Sequence, residues 1–377
     1  MSPRKKIMIT GSNGFIGKNL KFALNEKNKY EIKEFSREKS ILDLRKMIKE
    51  SDIIVHLAAT NRNKNADRFE TDNVDLTKEI CNIVAKQKTK IPIIFSSSIQ
   101  QNNESIYGKS KKICEEIILK LNEEHGVPIF VLRLPNVFGK WAKPNYNSVV
   151  ATFCYNLHHD LRLDIHDSNA LISLIHIDDV VGKITSIINN KITEVNIFPK
   201  IEHIYQLTVG ELETKLQVMK KGRNLLNVDI TSHGLDRALY STFISYAPKD
   251  AFIYQIPSYI DERGKFSELI KTQKSGQISY FTAKPNITRG GHYHHTKVEK
   301  FFVLMGEAEF IFEDIISSVV HRMVVSADSD QVVETIPGFA HSVKNIGKSD
   351  LVCMVWANEI FDKTRTDTHN WNIIKNA

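Results

Sequence analysis

Four residues in the last quarter of the chain have the types and spacing of metal ligands. His292 and His294 stand two positions apart, Glu299 follows them, and His341 comes later, after a Pro-Gly turn. On a strand, residues two apart face the same way, so both imidazoles can reach one ion. Three imidazoles and one carboxylate suit zinc, or else nickel, manganese or ferrous iron. The set predicts a divalent-metal site, which is closed if it is structural and keeps a position open if it is catalytic.

A second chemical group combines Tyr107, Lys111 and a serine triplet, Ser96–Ser98. Tyrosine and lysine four residues apart share one face of a helix, which brings the ammonium near the phenol. A phenol with an ordinary pKa exchanges protons poorly at neutral pH, and a neighbouring positive charge favours its ionised form. The triplet closes the preceding predicted strand and offers a hydroxyl to the same substrate group. These residues predict acid/base chemistry at a carbonyl.

The segment Gly11–Gly17, with glycines at 11, 14 and 17, has the spacing of a dinucleotide-binding loop. It follows a predicted strand and opens a predicted helix, so its glycines let the backbone approach a pyrophosphate and the helix supplies N–H groups. The second predicted strand leads into Ser36 and Arg37. A hydroxyl and a guanidinium at this point suit the extra phosphate of NADP, so the sequence favours NADP over NAD.

The elements that must position these groups have two different patterns. Over residues 1–246, short apolar runs alternate with amphipathic helices, which predicts an α/β doubly wound domain of the Rossmann type. Over residues 247–377, short β-branched and aromatic runs are separated by Gly, Asn or Asp, which predicts an all-β sandwich or barrel. The strands predicted in the first part are Lys6–Thr10, Tyr30–Phe35, Ile53–Leu57, Ile91–Ser96, Ile129–Arg133 and Glu194–Phe198.

Composition limits the class of protein. A chain of 377 residues with 42% hydrophobic and 25% charged residues suits a soluble protein of two domains. The net charge of +7 accompanies no nucleic-acid-binding motif, so we expect no nucleic-acid partner. Four scattered cysteines without a C-x-x-C pair argue against a disulfide framework. With neither a signal peptide nor a run long enough to span a membrane, we expect a cytoplasmic protein without a membrane partner.

The glycine loop, H-L-A-A at 56–59, the serine triplet and Y-x-x-x-K together resemble the extended short-chain dehydrogenase/reductase family over residues 5–200. The resemblance implies a nucleotide-sugar substrate, with Tyr107 as the acid/base and Lys111 as its electrostatic partner and ribose ligand. It implies Ser98 as the hydrogen-bond donor to the carbonyl. Only nine positions separate Ser98 from Tyr107, fewer than the family usually has, so the choice among the serines stays open. The implied cofactor contacts are Gly11, Asn13, Gly14, Phe15, Ile16, Gly17, Ser36, Arg37, Asp43, Leu44, Leu57, Ala58, Ala59, Lys111 and Leu134, and the implied substrate contacts are Asn136 and Lys143.

The metal-ligand set resembles both motifs of the cupin family, G-H-x-H-x4-E-x6-G and P-G-x-x-H-x3-N. This resemblance implies a jelly-roll fold for residues 247–377. The stretches 261–266 and 289–292 also resemble the sugar-nucleotide 3,5-epimerases, whose catalytic base is the histidine after R-G. Here that histidine is His292, which the metal motif already uses. The base therefore stays open, with Lys297 and Lys300 as candidates.

A reductase fused to a cupin, with L-R-L-P-N-V-F-G-K-W-x-K-P-N-Y-N-S at 132–148, resembles a family of capsular-polysaccharide enzymes across nearly the whole chain. The resemblance implies metal-assisted C-3 epimerisation of UDP-2-acetamido-2,6-dideoxy-L-lyxo-4-hexulose, followed by NADPH-dependent reduction at C-4. The product would be UDP-N-acetyl-6-deoxy-L-talosamine, on the route to UDP-N-acetyl-L-fucosamine for capsule or O-antigen. Zinc and a homodimer are also implied. Two alternatives are a single-function reductase with a structural or dimerising metal-binding cupin, and a non-catalytic sugar-nucleotide sensor.

Overall fold

The structure is a computed structural model that describes residues 4–59, 66–102, 105–190, 196–228, 234–252, 256–272, 275–294, 297–315, 317–337, 339–364 and 366–373. It divides into two compact units, Met1–Leu216 with His233–Ala247 and Gln217–Ser232 with Pro248–Ala377. No helix in the described ranges is long and apolar enough to cross a membrane.

The first unit is built on a five-stranded parallel sheet in the order β2-β1-β3-β4-β5. These strands are β1 Lys5–Thr10, β2 Tyr30–Phe35, β3 Ile53–His56, β4 Ile93–Ser98 and β5 Ile129–Leu134. Neighbouring residues of β1 enter two different apolar clusters, with Met8 in one and Ile7 and Ile9 in the other. Burial on both faces explains the near-continuous apolar runs that begin the inner strand β3, its neighbour β4 and β5. The predicted doubly wound domain is confirmed.

Eight helices accompany the sheet in the described residues. They are α1 Phe15–Asn25, α2 Ile41–Lys49, α3 Ala66–Ala85, α4 Ile106–His125, α5 Val149–His158, α6 Ile177–Asn189, α7 Val209–Leu225 and α8 Gly234–Ser245. A second, three-stranded sheet has the order β6-β7-β8, from β6 Asn136–Phe138, β7 Leu171–His176 and β8 Tyr205–Thr208. The strand predicted over Glu194–Phe198 is not seen where it is described. Residues 196–198 are irregular, although the Ile197 carbonyl accepts a hydrogen bond from Val131 N at 2.7 Å, and residues 194 and 195 lie outside the described ranges.

The strands of the second unit form two antiparallel sheets, as the all-β prediction for this part of the chain requires. One has the order β16-β13-β18-β11-β10-β9 and the other β15-β14-β17-β12-β19. Alternate residues of facing strands, such as Phe281, Phe301 and Phe310, form a shared apolar core. The strands are β9 Ser258–Asp261, β10 Gly264–Thr272, β11 Gly276–Ala283, β12 Thr288–Tyr293, β13 Glu299–Met305, β14 Glu307–Asp314, β15 Val320–Ser326, β16 Val332–Glu334, β17 Phe339–Asn345, β18 Leu351–Ala357 and β19 His369–Asn370.

The sequence placed a single boundary after residue 246, whereas the structure also groups residues 217–232 with the second unit. Backbone hydrogen bonds account for this grouping. Val228 N donates to Lys271 O at 2.8 Å, and Lys271 N donates to Leu226 O at 2.7 Å. The chain that follows α7 therefore forms a short parallel bridge with β10, which a composition shift along the sequence cannot reveal.

Candidate functional sites

The four predicted metal ligands converge where the two sheets of the second unit face each other. His292 on β12 is paired with His341 on β17, His294 directly follows β12, and Glu299 begins β13 of the opposite sheet. One ligand atom from each residue lies within 4.8 Å of the others. The imidazole centres are 4.7, 5.0 and 5.1 Å apart. The structure thus brings together all four residues that the sequence indicated.

Glycine permits this close pairing of β12 with β17. Gly290 has a φ of +90°, and a Cβ there would lie 2.8 Å from the backbone oxygen of His341. A β-bulge separates Gly290 from His292. Because a side chain at residue 290 would push the strands apart, the glycine sets His292 opposite His341.

Two of the ligand candidates, His292 and Glu299, are held in protonation states that bind metal ions. Burial, followed by the neighbouring His341, lowers the pKa of His292 to about 3, so this imidazole is neutral at pH 7. Burial alone would raise the pKa of Glu299. The adjacent imidazoles of His294 and His341 and the charge of Lys297 outweigh burial and hold that pKa well below its usual range. Neutral imidazoles and an ionised carboxylate are the forms that coordinate divalent ions.

The hydrogen bonding of two imidazoles also fits a metal ion. Within the described part of the chain, both ring nitrogens of His341 are buried without a hydrogen-bond partner. Its Nε2 lies 3.3 Å from Glu299 Oε2, but this contact lacks the geometry of a hydrogen bond. His294 Nδ1 donates to the backbone oxygen of Asp367 at 2.5 Å, which leaves Nε2 as the ligand atom. A divalent ion would satisfy nitrogens that are otherwise costly to bury.

The loop from β1 to α1 has the shape of a dinucleotide cradle. Gly11 has a φ of +72°, and a Cβ there would lie 2.8 Å from backbone atoms of Ala58. A Cβ at Gly17 would lie 2.2 Å from the oxygen of Gly11. Gly14 is the N-cap of α1 and has no side chain that could cap the first N–H groups of the helix, which suits the binding of an anion there. These residues fit a nicotinamide dinucleotide.

The residues predicted to contact the adenosine half of the cofactor differ in how well their positions suit that role. Ser36 and Arg37 directly follow β2, as expected. Asp43 instead forms a capping box with Ser40 at the start of α2, its Oδ2 accepting from Ser40 N at 2.9 Å. Leu44 is fully buried in an apolar cluster. Asp43 and Leu44 therefore have clear roles in forming α2, and their contact with adenine stays a prediction.

Tyr107 and Lys111 lie on successive turns of α4. Lys111 Nζ donates to Ser96 O at 2.6 Å and lies 6.0 Å from the centre of the Tyr107 ring. Burial lowers the pKa of Lys111 to about 8 and raises the pKa of Tyr107 to about 12. The sequence led us to expect the lysine to favour the phenolate. Burial has the larger effect on this phenol, so at pH 7 Tyr107 is neutral and able to donate a proton.

The three serines at the end of β4 have different partners. Ser97 Oγ donates to Glu115 Oε2 at 2.7 Å, and Ser96 Oγ donates to a backbone carbonyl of β3 at 3.4 Å. Ser98 is the last residue of the strand, and its Oγ accepts from Gln100 N at 3.1 Å. Successive strand residues face opposite ways, so Ser97 and Ser98 serve different sides of the sheet. These contacts favour Ser98, whose hydroxyl acts here as an acceptor, for donation to a substrate.

Glu115 lies at the site of the Tyr107/Lys111 pair and was not predicted from the sequence. It lies one turn beyond Lys111 on α4 and is only 3% exposed. Its carboxylate accepts hydrogen bonds from Ser97 on β4 and from Arg133 Nε on β5, the latter at 3.1 Å. The four-residue spacing puts Glu115 on the same face of the helix as Lys111, but it does not identify the partners on β4 and β5. Glu115 joins the helix that carries the catalytic candidates to two strands of the sheet.

The predicted substrate contacts have modest structural support. Asn136 begins β6, and its Nδ2 donates to Ser173 O at 3.2 Å on β7. Lys143 is exposed, with Nζ 5.7 Å from the centre of the Tyr146 ring. The described residues that line a cavity of about 570 Å³ between α1 and α6 include neither of them, nor the Tyr–Lys pair. This cavity is therefore not assigned to the substrate, and the contacts of Asn136 and Lys143 with the substrate stay predictions.

Known proteins resemble the whole chain. Residues 7–197 match the NAD dependent epimerase/dehydratase family, and residues 259–369 match the polysaccharide biosynthesis C-terminal domain. A Pseudomonas aeruginosa protein named UDP-2-acetamido-2,6-beta-L-arabino-hexul-4-ose reductase is 42% identical over 99% of this chain and 100% of its own length. The crystal structure of the capsular polysaccharide assembling protein CapF from Staphylococcus aureus covers 97% of this chain and 99% of its own, with 36% identity and a TM-score of 0.90. The chain belongs to the CapF-type members of the NAD dependent epimerase/dehydratase family.

The CapF structure covers 97% of the chain, whereas more distant structures cover about two thirds of it. A UDP-glucuronic acid 4-epimerase from Bacillus cereus in complex with NAD covers 64% of this chain, with 19% identity and a TM-score of 0.54. At this identity the likeness shows the fold alone. The CapF-type match therefore confirms the predicted combination of an extended reductase fold and a C-terminal β-domain.

Proposed function

We propose that this chain is a bifunctional nucleotide-sugar enzyme. Its second unit epimerises C-3 of a UDP-linked 4-keto-6-deoxy-N-acetylhexosamine, and its first unit reduces the C-4 ketone. The product would be UDP-N-acetyl-6-deoxy-L-talosamine, on the route to UDP-N-acetyl-L-fucosamine. The observation that carries the proposal is the convergence of the four metal-ligand candidates in a chain that also holds the Tyr107/Lys111 pair.

The proposed cofactors are NADPH and zinc. When bound, NADPH supplies a hydride to C-4, and zinc supplies positive charge as a Lewis acid. Ser36 and Arg37 support NADPH because they follow β2, where a hydroxyl and a guanidinium suit a ribose phosphate. Three imidazoles and one carboxylate support zinc.

In the reduction, Tyr107 donates its phenolic proton to the C-4 oxygen as the new carbon–hydrogen bond forms. The raised pKa of about 12 keeps this proton on the phenol at pH 7 until the substrate oxygen takes it. The ammonium of Lys111, 6.0 Å from the ring centre, stabilises the phenolate that remains. Ser98, at the end of β4, donates a hydrogen bond to the same carbonyl.

Epimerisation must come before reduction. The C-4 ketone makes the hydrogen on C-3 acidic, so a base can remove it and the proton can return on the other face. A divalent ion held by His292, His294, Glu299 and His341 would supply positive charge to the C-4 oxygen as it becomes negative. Neither lysine suggested by the sequence is proposed as the base, because Lys297 is paired with Glu299 at 3.4 Å and Lys300 with Glu334 at 2.8 Å.

The name of the Pseudomonas relative refines the proposed substrate. That protein is named for an L-arabino 4-ketose, whereas our sequence-based expectation started from the L-lyxo form. The two configurations differ at C-3, the carbon that epimerisation inverts. We therefore propose that the L-arabino ketone enters and that the L-lyxo ketone is the one reduced.

The decisive experiment uses the Tyr107→Phe protein, UDP-linked L-arabino ketone and proton NMR in deuterated water. Without the phenol, reduction should fall by about 10² to 10⁴-fold, the usual contribution of a general acid. Solvent deuterium should still enter C-3 when zinc is present and should not enter after chelation. The matched control is Tyr155→Phe on α5, which should keep both activities.

A second candidate is the single-function reductase, which the name of the Pseudomonas relative favours because it mentions reduction alone. It predicts that the Tyr107→Phe protein introduces no deuterium at C-3 and that the wild-type product keeps the C-3 configuration of the substrate. Oxidation of NADPH by the ketone would dismiss the sensor alternative. The proposed homodimer predicts a particle of about twice the 43.1 kDa chain mass in light scattering.

A further inference from the structure

A buried lysine stands beside the metal-ligand set and is not needed as a ligand. Lys297 is 8% exposed and lies just before β13. Its Nζ is 3.4 Å from Glu299 Oε1 and 3.2 Å from Thr368 Oγ1, and its backbone N–H donates to Asp367 Oδ2 at 2.8 Å. Burying an ammonium is costly unless it has partners, and the partners here are Glu299 Oε1 and Thr368 Oγ1. The pairing with a metal-ligand candidate points to a role at the metal site.

The two oxygens of Glu299 face different groups. Oε2 lies 3.2 Å from His294 Nε2 and 3.3 Å from His341 Nε2, which is the side of the ligand cluster. Oε1 faces the Lys297 ammonium. A carboxylate can coordinate a metal through one oxygen or two, and the lysine engages the oxygen that would make the second bond.

One C-terminal segment, residues 366–371, holds this arrangement in place. The Asp367 carbonyl fixes the orientation of His294, while the Asp367 carboxylate and the Thr368 hydroxyl fix Lys297. The same segment pairs with β12 through β19, and Trp371 N donates to Gly291 O at 2.8 Å. Lys297 and the imidazole of His294 are therefore positioned by the same C-terminal segment.

We propose that Lys297 is a positioning residue that restricts Glu299 to a single metal-facing oxygen and so keeps one coordination position open for the sugar. The inference rests on the proposed metal site. Three imidazole nitrogens and Oε2 give four protein ligands, and zinc accepts a fifth ligand during catalysis. If Oε1 also bound, the protein itself would fill that fifth position.

The test measures the zinc affinity of the full-length chain by competition with a chelator. In Lys297→Met, Glu299 Oε1 loses its partner and a positive charge near the ion is removed. Zinc should therefore bind about tenfold more tightly, which is the usual size of effect for a residue that contacts a metal ligand. Zinc-dependent entry of deuterium at C-3 should nevertheless become slower, because the open position is filled. The matched control is Lys300→Met on β13, whose ammonium is paired with Glu334 at the surface and which should leave both measurements unchanged.

If Lys297 only stabilised the fold, its loss would not strengthen zinc binding. Zinc binding that is weaker or unchanged in Lys297→Met would overturn the inference while leaving the proposed metal site intact. Wild-type protein that binds no zinc would overturn both. The melting temperature in excess chelator reports whether the variant folds. If Lys297→Met does not fold, Lys297→Gln, which keeps a donor to Oε1 but no charge, should show a smaller gain in zinc affinity, and no gain would overturn the inference.

Discussion

Lys111 is the residue whose environment should be visible in the pH dependence of reduction. Its pKa is lowered by burial from 10.5 to about 8, so the ammonium predominates below that pH and is lost above it. Because the ammonium stabilises the Tyr107 phenolate, kcat/KM for the ketone should fall as the pH rises through about 8. In Lys111→Arg the guanidinium stays charged, so a slower enzyme without this alkaline fall is expected. A wild-type profile that stays flat to about pH 10 would count against the role of Lys111.

The serine triplet allows catalysis and folding to be separated residue by residue. Ser98→Ala should lower kcat by about 10² to 10³-fold with little change in stability, because the proposed role of Ser98 is to donate a hydrogen bond to the reacting carbonyl. Ser97→Ala leaves Glu115 Oε2 without its 2.7 Å donor and should cost about 1–3 kcal/mol of unfolding free energy. Steady-state kinetics and urea unfolding of both variants check the assignment. The reverse pattern would make Ser97 the catalytic serine.

At the scale of elements, Glu115 joins α4 to β4 and β5. Glu115→Gln removes the charge that pairs with Arg133 while keeping the side-chain shape. The Arg133 side chain is 43% exposed, which weakens the pair, so the expected loss of stability is about 1–3 kcal/mol rather than the larger loss from a fully buried pair. Glu116→Gln, at the exposed neighbouring position, should change stability by less than about 0.5 kcal/mol. Urea unfolding of the two variants measures the difference, and equal effects would remove this structural role.

The elements that sequence reasoning found are those whose signal is local. The strand Tyr30–Phe35, in which apolar or aromatic residues are interspersed with charged ones, has the predicted bounds, and the fully buried Ile53–His56 ends one residue earlier than predicted. His292 and His294 were identifiable because a strand places residues two apart on one face. Glu115 was not, because its partners Ser97 and Arg133 come from other strands and a helical glutamate ordinarily faces solvent.

Local patterns also could not reveal the surroundings of the metal-ligand set. The partners of Lys297 and His294 come from a segment about seventy residues further along the chain, which only the fold brings alongside β12. The burial of Tyr107 could not be predicted for a related reason. Its sequence neighbour Lys111 suggested a charge effect, whereas the larger effect is burial by the whole unit.

At the scale of the whole molecule, two units with separate sites predict that each ligand protects its own unit from hydrogen exchange. Binding stabilises a folded unit by about 2.7 kcal/mol when the ligand concentration is a hundred times its Kd. Zinc should therefore slow exchange in β12, β13 and β17, and NADPH should slow it in the β1–α1 loop and α4. Mass spectrometry of the full chain with each ligand alone measures both patterns.

Two variants make this expectation specific to each site. Glu299→Gln should lose the zinc effect and keep the NADPH effect, because the carboxylate belongs to the metal-ligand set. Gly11→Ala should do the reverse, because its Cβ would meet the Ala58 backbone at 2.8 Å and close the dinucleotide cradle. If Glu299→Gln also lost protection by NADPH, the two sites would be energetically coupled. An enzyme that must epimerise before it reduces does not need such coupling, since the order follows from the ketone itself.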